Sequence, residues 1–229
     1  MSIKNSMDFC KLAVLSASAV FAFNASAIDI GGGSGGSTTK MIVGDSIFAL
    51  SGDIHSFLED SLNENIDTHA RSGCQMNGGN ILCSSRYAVP SQYDRASKSG
   101  IETVIMNGGG NDFLLGDGAD CGTGPTPACQ EVLFAVEETM AGLVEDMHAD
   151  GIDEIVYLGY YSTTASSGNN ALNDFSMEYK IANYPSMGVK FIDSRDAFRG
   201  NERSYITLDG IHPTAAGSRV LADLIEQAL

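Results

Sequence analysis

The stretch Thr103-Val104-Ile105-Met106-Asn107-Gly108-Gly109-Gly110-Asn111-Asp112 carries the two signals on which the fold turns. Four β-branched or apolar residues run without alternation, as a strand covered on both faces requires. The run then gives way abruptly to glycine, amide and carboxylate. The same order recurs in Met41-Ile42-Val43 before Gly44-Asp45-Ser46-Ile47, and in Ile66 to His69 before Arg71-Ser72-Gly73. Ile155-Val156-Tyr157-Leu158 and Val189 to Ile192 are two further runs of this kind. Helical periods lie between them: Ile54, Phe57, Leu58 and Leu62; then Val132, Val136, Met140, Leu143, Val144 and Met147; finally Ala216, Val220, Leu221, Leu224, Ile225 and Ala228. Met and Leu stripes at this spacing build a core. Strands alternating with helices predict a doubly wound α/β sandwich, one domain around a parallel sheet of about five strands. Sites in such sheets form beyond the carboxyl ends of the strands. The residues just after each strand are therefore the candidates for chemistry.

Those residues suit nucleophilic catalysis. A serine hydroxyl such as that of Ser46 is a weak nucleophile until a base takes its proton. His212, in Asp209-Gly210-Ile211-His212-Pro213, can be that base, because imidazole titrates near neutral pH. Asp209, three residues earlier, is spaced to hold the imidazole tautomer and to stabilise the imidazolium. A tetrahedral intermediate also needs donors for its oxyanion. The backbone N–H groups of Ser46 and Gly73 can supply two, and the Asn111 amide a third. Taken singly, each cluster has a bland explanation. Gly-Asp-Ser is an ordinary turn, the glycine run 108–110 lacks the lysine or arginine of a phosphate loop, and Asp209-x-x-His212 would serve as a helix cap. His55, His69 and His148 have no paired motif and read as structural or surface residues. Four clusters in order, each beside a strand or the last helix, carry far more weight together.

At these blocks the sequence resembles the SGNH (GDSL-type) hydrolases. Gly44-Asp45-Ser46-Ile47 stands for the first block, with Ile where Leu is usual. Gly73 stands for the second, Gly109-Gly110-Asn111-Asp112 for the third, and Asp209 to Pro213 for the last. The resemblance implies a flavodoxin-like three-layer α/β/α sandwich and a catalytic triad of Ser46, Asp209 and His212. It also implies an oxyanion hole of Ser46, Gly73 and Asn111, and ester hydrolysis without metal or cofactor.

The amino-terminal residues read as an export signal. Lys4 and Lys11 flank the start of a 12-residue apolar run, Leu12 to Phe23, too short to span a bilayer, which ends at Ala25-Ser26-Ala27. Residues 1–27 are therefore expected to be a secretory signal cleaved after Ala27, placing the protein in the periplasm or outside the cell. Residues 28–39 read as a Gly/Ser-rich flexible linker, and 40–229 as the hydrolase domain. The linker contains G-x-S-x-G and G-x-G-x-x-G matches between Gly31 and Gly36, but neither has the strand before and helix after that the motif needs. Removing 1–27 also removes Cys10 and leaves four of the five cysteines, Cys74, Cys83, Cys121 and Cys129. Two disulfides are expected in an oxidising compartment. Of three pairings, the local one, Cys74–Cys83 with Cys121–Cys129, closes two short loops and is the expected one. A zinc site would need Cys-x-x-Cys pairs, which are missing.

Composition narrows the partners. Hydrophobic residues make up 43% of 229, enough for a packed core. With 13 Lys and Arg against 29 Asp and Glu the net charge is −16. Nucleic acid and anionic membrane surfaces are thus unsuited partners. The same excess weighs against strongly anionic acyl donors. Asp117 and Asp120 read as a solvated turn, since EF-hand spacing is absent. The segments 113–129 and 160–173 are expected to flank the site as loops. No long hydrophobic lid is evident, so short-chain esters of aryl, lipid or sugar alcohols are the expected substrates. Removal of acetyl groups from polysaccharide or peptidoglycan is the alternative, and a non-catalytic binding module the remote one. A monomer with no stable membrane anchor is expected.

Overall fold

The computed structural model describes residues 38–50, 52–116 and 121–229. The signal (1–27), nearly all of the linker with its two glycine motifs, and the Asp117–Asp120 turn lie outside the described residues. Thr39, assigned to the linker from sequence, already belongs to the folded body. Its N–H donates to Glu64 Oε1 at 2.7 Å, and its carbonyl accepts from Glu102 and Thr103.

Five parallel strands form one sheet: β1 (Lys40–Val43), β2 (Ile66–Thr68), β3 (Thr103–Met106), β4 (Glu154–Leu158) and β5 (Val189–Ile192), in the order β2-β1-β3-β4-β5. The helices are α1 (Ser46–Ala49), α2 (Asp53–Leu62), α3 (Val89–Arg95), α4 (Gly110–Leu114), α5 (Pro127–Ala149), α6 (Ser167–Asn183), α7 (Arg195–Phe198), α8 (Glu202–Tyr205) and α9 (Ala215–Ala228). Successive strand residues point to opposite faces, and each face buries its own core. Met41, Val43, Val104, Met106, Ile155 and Tyr157 meet α3 and α5. Ile42, Ile105, Val156 and Leu158 meet α2 and α9. Burial on both sides is why these strands read as unbroken apolar runs. The α/β/α layering and the five parallel strands agree with the sequence expectation.

Details of the helical faces differ. Leu133, fully buried, takes the core position in α5, and its neighbour Val132 is only half-buried. In α9, Ala216 is exposed and Gly217 and Ser218 face inward. The segment 160–173, expected to be a loop, becomes helix from Ser167. Ser166 caps it, its hydroxyl accepting from Asn169 N–H at 3.3 Å. The buried positions of α6 are Leu172, Ser176, Met177 and Lys180. Two of the four are polar, so no apolar stripe announces the helix. Lys180 is held in the core by Glu137 and Ser176, and Tyr184 donates to the other Glu137 oxygen at 2.8 Å.

Register sets the site. Val43 pairs with Met106, and Met106 with Tyr157, so the strands end level. Gly44-Asp45-Ser46, Asn107 and Tyr160 thus emerge at the same edge. The chain order 2-1-3 makes β1 the switch point, with β2 on one side and β3 on the other.

Candidate active site

Ser46 opens α1 immediately beyond β1. A set of hydrogen bonds fixes the turn that carries it. Asp45 accepts from Ile47 N–H at 3.0 Å and from the Asn107 amide at 2.8 Å, and its own N–H donates to Asn107 Oδ1 at 3.0 Å. The Tyr160 hydroxyl donates to Asp45 Oδ2 at 2.6 Å and accepts from Gly110 N–H at 3.2 Å. Burial raises the Asp45 pKa above the ordinary carboxylate value, and the hydrogen bonds from Tyr160, Ile47 and Asn107 oppose that rise. Gly44 is required by close approach: a Cβ there would lie 2.0 Å from Asn107 Oδ1.

The histidine arrives from the far end of the chain. Ile206 and Pro213 form an antiparallel bridge, and Thr207 N–H donates to His212 O at 2.8 Å, closing a tight loop before α9. His212 Nε2 stands 2.9 Å from Ser46 Oγ, across 166 residues of sequence. Its Nδ1 stands 2.6 Å from Asp209 Oδ2. The other Asp209 oxygen accepts from Ile211 N–H (2.8 Å), His212 N–H (2.9 Å) and the Thr207 hydroxyl (2.7 Å). Partial burial alone would raise this carboxyl's pKa. The bonds from His212, Ile211 and Thr207 outweigh it and hold Asp209 well below the usual carboxylate range. The arrangement keeps Asp209 ionised and lets His212 face the serine with an unprotonated nitrogen.

Asn111 sits in α4 and is buried. One amide hydrogen is used on Cys74 O at 2.9 Å, which orients the group. An amide nitrogen carries two donors, so one remains. Ser46 and Asn111 line the same narrow cleft, walled by Phe113, Leu114, Leu172 and Ile211. Gly73 does not line it. It lies between Arg71, whose N–H donates to Gly44 O at 3.0 Å, and Cys74, which Asn111 grips. It takes φ +75°, and a Cβ there would meet Leu82 at 2.8 Å. Its N–H donates to no group among the described residues. Cys74–Cys83 and Cys121–Cys129 are both bonded, the local pairing. Among the described residues, no three His, Cys, Asp or Glu cluster where they could hold a metal ion.

Sequence reasoning missed the supports. Tyr160 and Asn107 follow strands, where the fold itself says to look, but Tyr160 opens a segment whose polar sequence gives its aromatic hydroxyl no distinguishing pattern. Thr207, two residues before Asp209, belongs to no motif, and Gln92, whose side chain bonds the N–H and the carbonyl of Gly44, lies in a distant segment. Asp112 was seen only as part of a motif. It accepts from Met76 and Asn77 N–H, both at 2.8 Å, and so ties the segment after Gly73 to α4. Burial lifts its pKa to about 6 in spite of those bonds, and the charge on Asp45 adds to the rise. Because the folded value lies above the unfolded one, the native state holds the extra proton between about pH 4 and 6. Stability linked to this group is therefore present at low pH and is lost as pH rises through 6. Compared with Asp112→Asn, the wild-type unfolding free energy is expected to gain roughly 2 kcal/mol on going from pH 7 to pH 4. Parallel denaturant titrations of the two proteins check this, since carboxylates not coupled to Asp112 cancel in the difference.

A three-layer α/β/α sandwich with serine, histidine and aspartate in hydrogen-bond sequence at its strand ends is the architecture of the SGNH hydrolases. The profile of the GDSL-like Lipase/Acylhydrolase family matches residues 42–220, and the chain belongs to that family. No curated protein sequence matches it. Among solved structures it is similar to the lipase Lip_vut3 from a goat rumen metagenome, at 16% identity and TM-score 0.64, covering 84% of this chain and 97% of the other. It is also similar to a catalytic mutant of Axe2, an acetylxylan esterase from Geobacillus stearothermophilus, at 16% identity and TM-score 0.61, covering 86% and 94%. A carbohydrate esterase family 2 enzyme with a carbohydrate-binding domain, from Corynascus thermopiles, matches at 18% identity and TM-score 0.60, covering 87% and 67%. At these identities the likeness is one of fold.

Proposed function

We propose that the protein is an exported serine esterase that cleaves short-chain carboxylic esters through an acyl-enzyme. The observation that carries the reading is the unbroken relay Ser46 Oγ, His212 Nε2, His212 Nδ1, Asp209 Oδ2, at 2.9 and 2.6 Å. Ser46 attacks the ester carbonyl while His212 takes its proton. The N–H groups of Ser46 and Gly73 and the free hydrogen of the Asn111 amide stabilise the oxyanion. His212 then protonates the departing alcohol, and water, activated by the same imidazole, releases the acid. Asn111→Ala is expected to lower kcat by about 10²–10³-fold with little change in KM, the behaviour of a donor that matters in the transition state. Steady-state kinetics on a nitrophenyl ester decide it, and an unchanged kcat removes Asn111 from the hole.

Acyl size is read from the cleft. Phe113, Leu114, Leu172 and Ile211 give it an apolar wall suited to a small acyl group. Removal of acetyl groups from a polysaccharide is the second reading, supported by the acetylxylan and carbohydrate esterases among proteins of similar shape. A panel of nitrophenyl esters of rising chain length, run beside acetylated xylan, separates the two. Fluorophosphonate labelling at Ser46 separates either from a non-catalytic binder. The two disulfides suit an oxidising compartment, and no described helix is long and apolar enough to cross a membrane. With the reading of residues 1–27 as a cleaved signal, followed by a Gly/Ser-rich linker and the catalytic domain, the disulfides support a periplasmic or secreted protein.

A further inference from the structure

In this acidic chain, Lys40, Lys180, Lys190, Arg195 and Arg199 each meet a carboxylate. Arg71, Arg86 and Arg95, like Lys98, Arg203 and Arg219, have no carboxylate oxygen within 4.0 Å among the described residues. The first three gather on one ring. Their guanidinium carbons lie 4.0, 5.7 and 5.3 Å from the centroid of Tyr87. The ring's face attracts each cation, but three like charges held together still repel one another. What sets these three apart is that they converge on one ring, and three cations held together favour an anion beside them.

The cluster has a cavity and a link to the nucleophile. Arg71, Arg95 and Tyr87, with His69, Ser91 and Gln92, line a solvent-open cleft. Gln92 clamps the Gly44 peptide on both sides, accepting from its N–H at 2.8 Å and donating to its carbonyl at 2.9 Å. Arg71 N–H donates to the same carbonyl at 3.0 Å. Gly44 is two residues from Ser46. Since β2 and β3 flank β1 on opposite sides, the basic cleft opens on the β2 side of the nucleophile turn and the apolar cleft on the other.

We propose that this cleft is a subsite for an anionic group of the substrate, a carboxylate or a phosphate, bound by the guanidinium groups of Arg71 and Arg95 beside the Tyr87 ring. The planar forks of arginine match either oxyanion. The acyl group would occupy the apolar cleft and the charged portion the basic one. The proposal rests on the esterase reading and reverses the expectation that the overall acidity disfavours anionic substrates, because the field at a site is set by its nearest charges.

Three acetyl esters of similar size test it: 4-acetoxybenzoate, 4-acetoxyphenyl phosphate and neutral methyl 4-acetoxybenzoate. In the double variant R71Q/R95Q, kcat/KM on at least one charged ester is expected to fall by about tenfold or more, with the neutral ester within about twofold. The R71K/R95K variant should keep much of the preference. Which charged ester suffers more tells a carboxylate-bearing substrate from a phosphate-bearing one. Equal losses on all three esters, or none, overturn the proposal. Calorimetry with the unreactive 4-acetamidobenzoate and its neutral amide needs no turnover. Binding of the acid that weakens in R71Q/R95Q supports the subsite even if no ester is cleaved, while equal binding of acid and amide rejects it even in an active esterase. Should R71Q/R95Q fail to fold, the wild-type preference for charged esters must shrink with added salt. A preference that salt leaves unmoved overturns the proposal.

Discussion

Ser46→Ala is expected to yield a folded protein whose kcat on nitrophenyl acetate is lower by about 10⁴–10⁶-fold. The serine hydroxyl stands 2.9 Å from His212 Nε2 and makes no other side-chain hydrogen bond among the described residues. Deleting it removes the attacking atom and nothing that holds the turn. The turn is kept by Asp45, Asn107 and Tyr160, none of which bonds to the Ser46 side chain. Alanine is also a good helix former at the start of α1, so stability should change by less than about 1 kcal/mol. Circular dichroism and a kcat measurement settle both halves. Activity within tenfold of wild type would mean that another group is the nucleophile.

Asp209→Asn is expected to cost about 10⁴-fold in kcat although the side chain keeps its shape. In the native loop one carboxylate oxygen receives three donors, from Ile211, His212 and Thr207. An asparagine can meet those three only with its carbonyl oxygen. Its NH₂ must then point at His212 Nδ1, where Asp209 Oδ2 now accepts at 2.6 Å. A donor there forces the imidazole proton onto Nε2, which then donates to Ser46 instead of accepting from it. The base is lost through the wrong tautomer. Asp209→Ala removes the orientation without imposing that tautomer and should do no worse. Kinetics of the two variants side by side test this, and an Asn variant close to wild type would rule out a tautomer role for Asp209.

Much of the site could be read before folding because the α/β sheet places functional groups at a predictable address. Ser46, Asn111 and the Asp209–His212 pair each follow a strand or precede the last helix, and all four come together. The oxyanion role of Gly73 rests on the least sequence information, since one glycine in a loop carries little local pattern. The helix α6 was illegible for a definite reason. Its inward positions include Ser176 and Lys180, and a buried lysine paired with Glu137 from another helix breaks the apolar period on which recognition depends. Gln92 was invisible because its partners are backbone groups of Gly44 and Tyr87; Thr207 reaches Asp209 only two residues on, but a lone threonine there makes no pattern.

The amino-acid sequence by itself determined the layers, the parallel strands and the chemical types at their ends. Those depend on short unbroken apolar runs, on a period of 3.6 residues and on turns, which are local properties of the chain. Tertiary structure alone decided that Nε2 of His212 meets a hydroxyl 166 residues away, and that both hydrogens of the Gln92 amide are spent within the chain, one on Gly44 and one on Tyr87. It also decided where charge falls. A net charge of −16 is a sum over the chain, and a sum does not reveal that three arginines with no carboxylate within reach among the described residues share one tyrosine ring beside the nucleophile turn. Electrostatic interaction depends on distance, and only folding sets the distances.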